Sequence, residues 1–567
     1  MITYGVTVQG VKDAELRNVL LAVSDCRRLK NLPPATPELL NDRARDDFPL
    51  LLRALRSYGY YEAAVTSHVA KGWIRDTVVF GVNTGPPFLL AQVQIKWAAS
   101  HDGRHPLLPL PSEMGLLTNK PARSRALVDA ETQLCHFLAD EGYPEAVVAQ
   151  RQFTVDYDLK SVTAEYELNP GSPAVFGPCR IEGLARVHES YVRLLIPWKE
   201  GEAYRISLMN QVREKLLRTG LFSMMNLSPA SEPSPDGALP LALTLRERRR
   251  RSIGISVGYA TDKGYGSKVS WANRNLFGNA ESLTWRGEWS ESVYSGGLSY
   301  SQPLHLHPDR NLTADALVAD DKPDVYHSRY FRTSLNLGRE WPRYLSGSLG
   351  IALKVSHVTQ LETEGDFILL SLPGMVALDT RDNDFDPERG GFYRLQTAPT
   401  WDLYGNSTGY LKTQATLQHY LNLFNRPNLI LAARCSIGSL VGADPYKVPA
   451  DERFYSGGGG SIRGYAYQSV GPVASNLCVG GNSLFEVSLE TRFHLTQNFG
   501  LVLFLDGGSA FNSDFPDASE QLLWGTGVGL RYFTMLGPIR LDAGFPLNRR
   551  PEMDQSFQVY LSIGQAF

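Results

Sequence analysis

The 567-residue sequence has no uninterrupted apolar run of about 18 residues, the length a membrane-spanning helix requires. Its mean hydropathy of −0.21 agrees. Spanning helices are therefore excluded, whereas a spanning β-barrel, whose strands are apolar on one face only, is not. Cysteine is scarce: Cys26, Cys135, Cys179, Cys435 and Cys478 are far apart and form no CxxC pair, which excludes a zinc ribbon and a thioredoxin-like motif. Their odd number cannot pair completely within one chain, and the sequence leaves open whether Cys435 joins Cys478. Excess charge is absent too, since 56 Lys and Arg face 59 Asp and Glu, a formal net charge of −3. No global positive field recruits nucleic acid. A composition of 43% hydrophobic, 20% charged and 10% aromatic residues is too apolar for disorder, and the length predicts several folded units.

Two halves of different periodicity follow. In the first, a helical stretch from Pro37 to Ser57 ends at Gly59-Tyr60-Tyr61 and leads into strands at Ala64–Ala70 and Ile74–Val82. The order recurs: Ser124–Asp140 is helical, ends at Gly142-Tyr143, and precedes strands near Val147–Asp156 and Val162–Leu168. A third helix, Ile206–Arg218, ends at Gly220-Leu221-Phe222 before Met224–Pro229 and Leu239–Arg246. Each copy opens with a strand, at Ile2–Val8, Phe88–Trp97 and Val175–Ile181. A spacing of about 80 residues between Gly59, Gly142 and Gly220 marks three copies of one β-α-α-β-β unit, over 1–85, 86–172 and 173–248. The glycine is the left-handed residue that stops the helix, and the aromatic after it packs back. A small sheet with an open edge can take an extended segment as an added strand.

After about residue 249 the period is two. Ile253, Ile255, Val257 and Tyr259 alternate with Ser252, Gly254, Ser256 and Gly258, and Phe557, Val559, Leu561 and Ile563 with Gln558, Tyr560, Ser562 and Gly564 before the final Phe567. Charges such as Arg286, Glu288, Lys354, Glu486 and Glu490 fall on faces opposite apolar ones. A membrane barrel with a wet lumen and a soluble sandwich or propeller both produce this alternation. As a barrel, 249–567 at roughly 20 residues per strand and connection holds about 16 antiparallel strands, with 14 or 18 also compatible.

Several enzyme-like patterns are better read as strand or turn. Gly254-Ile255-Ser256-Val257-Gly258 matches G-x-S-x-G, but no helix follows to form a nucleophile elbow. Gly525, Gly527 and Gly529 have period two and line one strand face. Asp382, Asp384 and Asp386 open like a calcium loop, yet Pro387 and Tyr393 stand where glycine and a bidentate glutamate are needed. His305 and His307 have no third ligand nearby, and the Gly457–Gly460 run lacks the Lys-Ser/Thr of a phosphate loop. No cofactor, metal or catalytic residue is expected. The run Arg246, Arg248, Arg249, Arg250 and Arg251 reads equally as a contact for anionic lipid head groups or as a solvated junction.

After the glycine run comes Ser461-Ile462-Arg463-Gly464-Tyr465. Gly480-Gly481-Asn482-Ser483 leads a strand containing Glu490; Phe504-Leu505-Asp506-Gly507-Gly508, Gly537-Pro538-Ile539-Arg540-Leu541-Asp542 and Asp379-Thr380-Arg381-Asp382-Asn383 with Pro387 and Gly390 complete the set. Together these resemble the motifs of the outer-membrane assembly factors that join POTRA repeats to a barrel, the superfamily that includes BamA and the two-partner secretion transporters. The resemblance covers essentially the whole chain. It implies an α+β periplasmic arm of three POTRA repeats, a transmembrane antiparallel barrel, and a sixth extracellular loop, around 450–480, folded into the lumen. Three repeats further resemble the TamA branch, which works in the translocation and assembly module.

The resemblance also assigns roles. Ile462, Arg463, Gly464 and Tyr465 form the loop motif, and Arg463, a charge in a partly desolvated interior, needs carboxylates, with Asp506 and Glu490 expected and Asp542 a third choice. A lateral gate is implied between the first and last barrel strands, at Ile253, Gly254, Ile255, Val257, Gly258, Ile563, Gly564 and Phe567. Implied partners are an inner-membrane-anchored protein of the TamB type, docking on the first repeat, unfolded outer-membrane β-proteins such as autotransporters, and outer-membrane lipid. The implied function is non-enzymatic insertion of those clients; the alternatives are a receptor for a TamB-type bridge carrying phospholipid and a two-partner secretion pore. Met1 to Val6 carry neither the basic nor the apolar part of a leader, so the signal peptide such an exported chain requires is expected to be absent from this sequence.

Overall fold

A computed structural model describes the chain apart from residues 1–2, 33, 73–74, 99–107, 231–236, 261–263, 305–306, 342–343, 405–408, 426–427, 445–446, 497, 535–536 and 564. His305 and Gly564 therefore lie outside the described residues. Two compact units are present: one comprises Met1–Glu182, Pro197–Lys215 and Met225–Thr244, the other Gly183–Ile196, Leu216–Met224 and Leu245–Phe567.

The N-terminal part holds three three-stranded sheets of one design among the described residues. In the first, Tyr4–Gln9 lies parallel to Asp76–Asn83, whose other side pairs antiparallel with Ala64–Ala70. In the second, Leu89–Trp97 flanks Ser161–Asn169 and Val147–Asp156 lies opposite. Val175–Glu182, Ala238–Glu247 and Phe222–Pro229 make the third in the same order. The last strand of each unit is central because it alone is flanked by both partners, which leaves the other two as edges. Helices close the apolar face: Leu51, Leu55, Leu16 and Leu20 pack on Val78 and Phe80, and Leu127, Leu134 and Leu138 on Val162 and Tyr166.

Each helix-ending glycine has positive φ, +89° at Gly59, +101° at Gly142 and +65° at Gly220. At the first two the Tyr60 and Tyr143 N–H groups reach back to Leu55 and Leu138 carbonyls, satisfying helix-end acceptors. The turn has a second use. The Gly59 carbonyl accepts from Phe88 N–H and that of Gly142 from Ala174 N–H, each at 2.8 Å, so the turn that ends one unit's helix fastens the start of the next. At the third turn Leu221 takes this part, its carbonyl accepting from Arg248 N–H at 2.6 Å. Glu62 with Lys160 (2.6 Å) and the Tyr61 and Phe88 rings (5.2 Å) complete the first junction.

The single helix expected over Pro37–Ser57 is two helices, Pro37–Asp46 and Phe48–Ser57, broken at Asp47. Pro49 has no N–H to donate and its ring clashes with a continuing turn. Asp47, fully buried at the break, accepts from Ser24 Oγ (2.6 Å), Asp25 N–H (2.8 Å) and Cys26 N–H (3.1 Å), capping the short helix Asp25–Arg28 from across the fold.

From Arg251 onward one antiparallel sheet runs in sequence order and closes on itself, Arg251–Ala260 pairing with Gln558–Ile563. Among the described residues it has seventeen strands, of which Thr363–Ser371 and Gly374–Asp379 share both neighbours and are halves of one stave, giving sixteen staves. The interruption falls at Leu372-Pro373, where proline cannot donate to the ladder. The outer face is a band of exposed aliphatic and aromatic side chains, among them Leu335, Leu337, Leu349, Ile351, Leu489 and Leu541. Charge is buried on the inner face, at Arg463, Arg492, Arg531, Glu490, Asp506 and Asp542. An exposed apolar band around a polar, filled interior inverts the layering of a sandwich and matches a barrel in lipid. All five cysteines are free thiols, Cys435 and Cys478 included.

Burial, and next the negative charge of Asp47, raise the Cys26 thiol to about 12. The native chain should accordingly resist alkylation at Cys26 near pH 8. Asp47→Ala, which strands three donors, should destabilise this unit by roughly 2–4 kcal/mol and speed Cys26 labelling, as measured by iodoacetamide mass-tagging along a urea series.

Candidate functional site: a loop anchored inside the barrel

The connection from Val441 to Ser483 enters the barrel instead of leaving it: Ile462, Arg463 and Tyr465 are buried to within 1% of complete exclusion. A glycine run precedes the motif, and Gly457, Gly458 and Gly464 all have positive φ, which lets the chain double back where a β-carbon would be strained.

Arg463 is the centre of the arrangement. Its Nε and Nη2 donate to the two oxygens of Asp506 at 2.7 and 2.9 Å, a bidentate fork, and its own backbone N–H reaches the same carboxylate at 3.1 Å. Nη1 donates to Glu490 (2.6 Å) and Asp542 (3.2 Å). The three carboxylates are on strands Ser483–His494, Phe499–Phe511 and Gly537–Pro546, and all have fully buried side chains. Phe504 lies under the guanidinium, 3.6 Å from ring centroid to Cζ. The other carboxylate oxygens are met by Arg492, which donates to Glu490 at 2.8 Å, and by Arg531, which bonds Asp542. A guanidinium suits this position because it offers planar forked donors that a lysine lacks.

A second anchor was not visible in the sequence. Lys354, on Leu345–Gln360, donates to Asp451 (2.7 Å) and Glu452 (2.6 Å) at the start of the loop; Ser328 Oγ joins Asp451 at 2.6 Å, and Lys412 Nζ donates to the Glu452 carbonyl at 2.6 Å. In the order of pairing, the stave of Lys354 is eight from that of Asp542 in either direction. The two anchors are therefore on opposite walls, and the loop crosses the lumen between them. The only sequence signal was an isolated Lys354 on a polar strand face.

The wall facing the loop is carved from glycine. A β-carbon on Gly525 would overlap the Arg463 carbonyl, one on Gly544 the Gly464 N–H, and one on Gly529 the Asp542 carboxylate. Gly525 and Gly544 thus let the loop backbone lie directly on the sheet, while Gly529 leaves room for the Asp542 carboxylate. Tyr560, also missed, joins the loop to the last strand: its hydroxyl accepts from Gly464 N–H at 3.1 Å and donates to the Tyr465 carbonyl at 3.0 Å. A single large aromatic between Gln558 and Ser562 on the inward row was its sequence signal.

The expected gate residues fall differently. Among the described residues two pairs join the first and last strands, Tyr259 with Leu561 and Ala260 with Tyr560, against ten between Arg251–Ala260 and its other neighbour Gly264–Asn273. Ile253, Gly254, Ile255, Val257 and Gly258 pair with that neighbour alone, and Ile563 with Ile539 alone. Phe567 is a correction: it is not in the seam, because the chain beyond the last strand turns inward. There its ring meets Tyr420 and the guanidinium groups of Arg434 and Arg492, and its carbonyl accepts from Arg492 at 3.2 Å. Buried cations attract the aromatic face more than a strand edge does. Asp382 and Asn383 cap the turn after Gly374–Asp379, accepting backbone N–H groups of Glu388 and Arg389 and of Phe385 and Asp386.

A family model described as the Omp85 superfamily domain matches residues 275–567. The outer membrane protein assembly factor BamA of Nitratidesulfovibrio vulgaris is 22% identical over 582 residues, covering 99% of this chain and 73% of that protein. BamA of Neisseria meningitidis is 22% identical over 552 residues, 86% of this chain and 68% of the relative. Among solved structures, Haemophilus ducreyi BamA lacking POTRA domains 1–3 aligns with a TM-score of 0.65 at 19% identity, over 83% of this chain and 99% of that one. CdiB from Acinetobacter baumannii gives 0.50 at 15% identity, over 98% and 99%.

Arg463→Ala removes the one cation shared by three buried carboxylates and should cost the loop anchor about 3–5 kcal/mol. Gly525→Ala should release the loop as well, although it touches no charge. Limited trypsinolysis checks both: new cleavage after Lys447 or Arg453 is expected in each variant, and protection equal to wild type would refute the anchoring.

Proposed function

Because the chain belongs to the Omp85 superfamily, we propose that it is an outer-membrane assembly factor that admits β-strands of client proteins between its first and last barrel strands. The observation that carries this reading is the seam, which among the described residues has two residue pairs where the neighbouring interface has ten. Its pairs are at the end of the first strand remote from Arg251, so that among the described residues the backbone of 253–258 has no strand partner on that side. In lipid no water satisfies such groups, and an unpaired edge favours any strand that supplies partners. A client hairpin exchanges one ladder for another, which needs neither nucleotide nor covalent chemistry.

Two features support a TamA-type assignment within the superfamily. There are three POTRA-like sheets among the described residues, and edges such as Ala64–Ala70 are available for strand addition by an inner-membrane-anchored partner of the TamB type, docking on the first repeat at 1–85. Clients would be unfolded outer-membrane β-proteins, autotransporters among them. The boundaries 86–172, 173–248 and 249–567 then delimit two further repeats and the transmembrane barrel. A two-partner secretion pore fits less well, because the loop spans the lumen between Lys354 and Arg463. In this mechanism the loop braces the wall from Glu490 to Tyr560 while the first strand, which the Ile462-Arg463-Gly464-Tyr465 motif does not bond, moves.

Cysteines replacing Tyr259 and Leu561, which face each other across the seam, should form a disulfide that abolishes client insertion into liposomes, with activity restored by reductant. Insertion that persists in the locked barrel would overturn the gate and favour the remaining reading, a receptor for a phospholipid-carrying bridge.

A further inference from the structure

At the foot of the first barrel strand is a cavity of about 390 Å³ whose charged lining is six arginines, Arg186, Arg248, Arg249, Arg250, Arg251 and Arg274, with one carboxylate, Glu247. All of it belongs to the second compact unit. Glu247 offers one negative charge against six positive ones. One of its oxygens accepts the N–H groups of Ala185, Arg186 and Val187, each at 2.8 Å, and although burial opposes it, these donors hold its carboxyl below the ordinary range. The neighbouring charge of Arg186 foremost, then desolvation and the charge of Arg251, push Arg250 below its usual value. The backbone under the cavity is fixed, because Arg248 N–H is bonded to Leu221 and Arg274 N–H to the Arg250 carbonyl (2.8 Å), while Arg274 Nη2 donates to Ser252 Oγ at 3.0 Å.

Arg251 shares a strand face with Ile253, Ile255 and Val257, which are 72–74% exposed. The six residue-to-residue steps from Arg251 to Val257 span about 20 Å, close to one hydrocarbon leaflet of about 15 Å plus a head group. We propose that the foot of the first strand is a binding site for an anionic phospholipid, its phosphate in the arginine cavity and its acyl chains along Ile253, Ile255 and Val257. The cations alone would accept a free phosphate. The aliphatic row continuing from Arg251 along the same face selects the lipid. The inference rests on the reading above that this strand faces the membrane, and it adds that the edge a client must reach is lined by lipid held at a defined place.

The test uses the full chain in nanodiscs of mixed phosphatidylglycerol and phosphatidylcholine, without client, followed by native mass spectrometry of retained lipid. Wild type should retain phosphatidylglycerol in preference, and Arg186→Ser with Arg250→Ser should weaken that preference by about tenfold or more. Arg329→Ser, outside the cavity, should not. Equal retention by wild type and the double variant, or complete displacement of the lipid by inorganic phosphate, would overturn the proposal, the latter in favour of a soluble-anion site. Should the double variant fail to fold, photoreactive phosphatidylglycerol on the wild-type protein decides. Labelling concentrated at Ile253–Val257 supports the site, and labelling spread evenly to Leu335 and Leu337 refutes it. With no client present, loss of lipid preference leaves the gate standing, and a failed seam lock leaves lipid retention untouched.

Discussion

A guanidinium taken out of water is tolerable only where carboxylates replace its hydration, and the inner wall is organised around meeting that demand for Arg463. Three strands each contribute one carboxylate; without the loop Asp506 would lose its cation outright, and Glu490 and Asp542 would each lose one of theirs. Loop and wall are therefore mutually dependent. Arg492 and Arg531 extend the arrangement to the other carboxylate oxygens, so that the cluster behaves as one unit in which removal of any member exposes the rest. Geometry follows from the same demand. For the Arg463 backbone to come close enough, the facing wall must have no side chains there, which is why glycine stands at 525 and 544.

The bracing is unequal around the barrel. Glu490, Asp506, Asp542 and Tyr560 place the loop's bonds on four strands at the C-terminal side of the seam, and Lys354 holds the far wall. No hydrogen bond among the described residues joins the loop motif to Arg251–Ala260. At a net contribution of about 0.5–1.5 kcal/mol per hydrogen bond, a seam of two pairs is, among the described residues, the most lightly tied junction between neighbouring staves. Rigid on one side and lightly tied on the other, the sheet has one place to open under the proposed function. That inequality comes from which strands hold the buried acids.

What could be read from the sequence was what is local. Alternation located the strands, the glycine-aromatic pairs located the helix ends, and Ser124–Asp140 and Ile206–Arg218 have the expected bounds. Arg463 and its three carboxylates could be named by resemblance, since each is embedded in a short motif. The break at Asp47 was missed because its cause is tertiary: the carboxylate caps a helix more than twenty residues earlier in the chain. Lys354 and Tyr560 were missed for the same reason. Each is an ordinary residue on a polar strand face until the loop arrives, and nothing in its own neighbours announces the contact. Phe567 misled because strand pairing is non-local, and periodicity cannot say where a ladder stops.

The glycine turns connect the repeats to this picture. Twice, the carbonyl of a helix-ending glycine takes the N–H that begins the next unit, and the third turn does the same through Leu221 for Arg248, three residues before the first barrel strand. A device that joins repeat to repeat is thus reused to set the root of the strand at the seam. Its consequence is electrostatic. Holding Arg248 by its backbone leaves the arginines that follow to gather around one cavity in which Glu247 is the one acid of the lining, and like charges in such excess persist only where solvent or an anion meets them. Beside an exposed aliphatic row, the polar end of a lipid is the anion whose shape suits both.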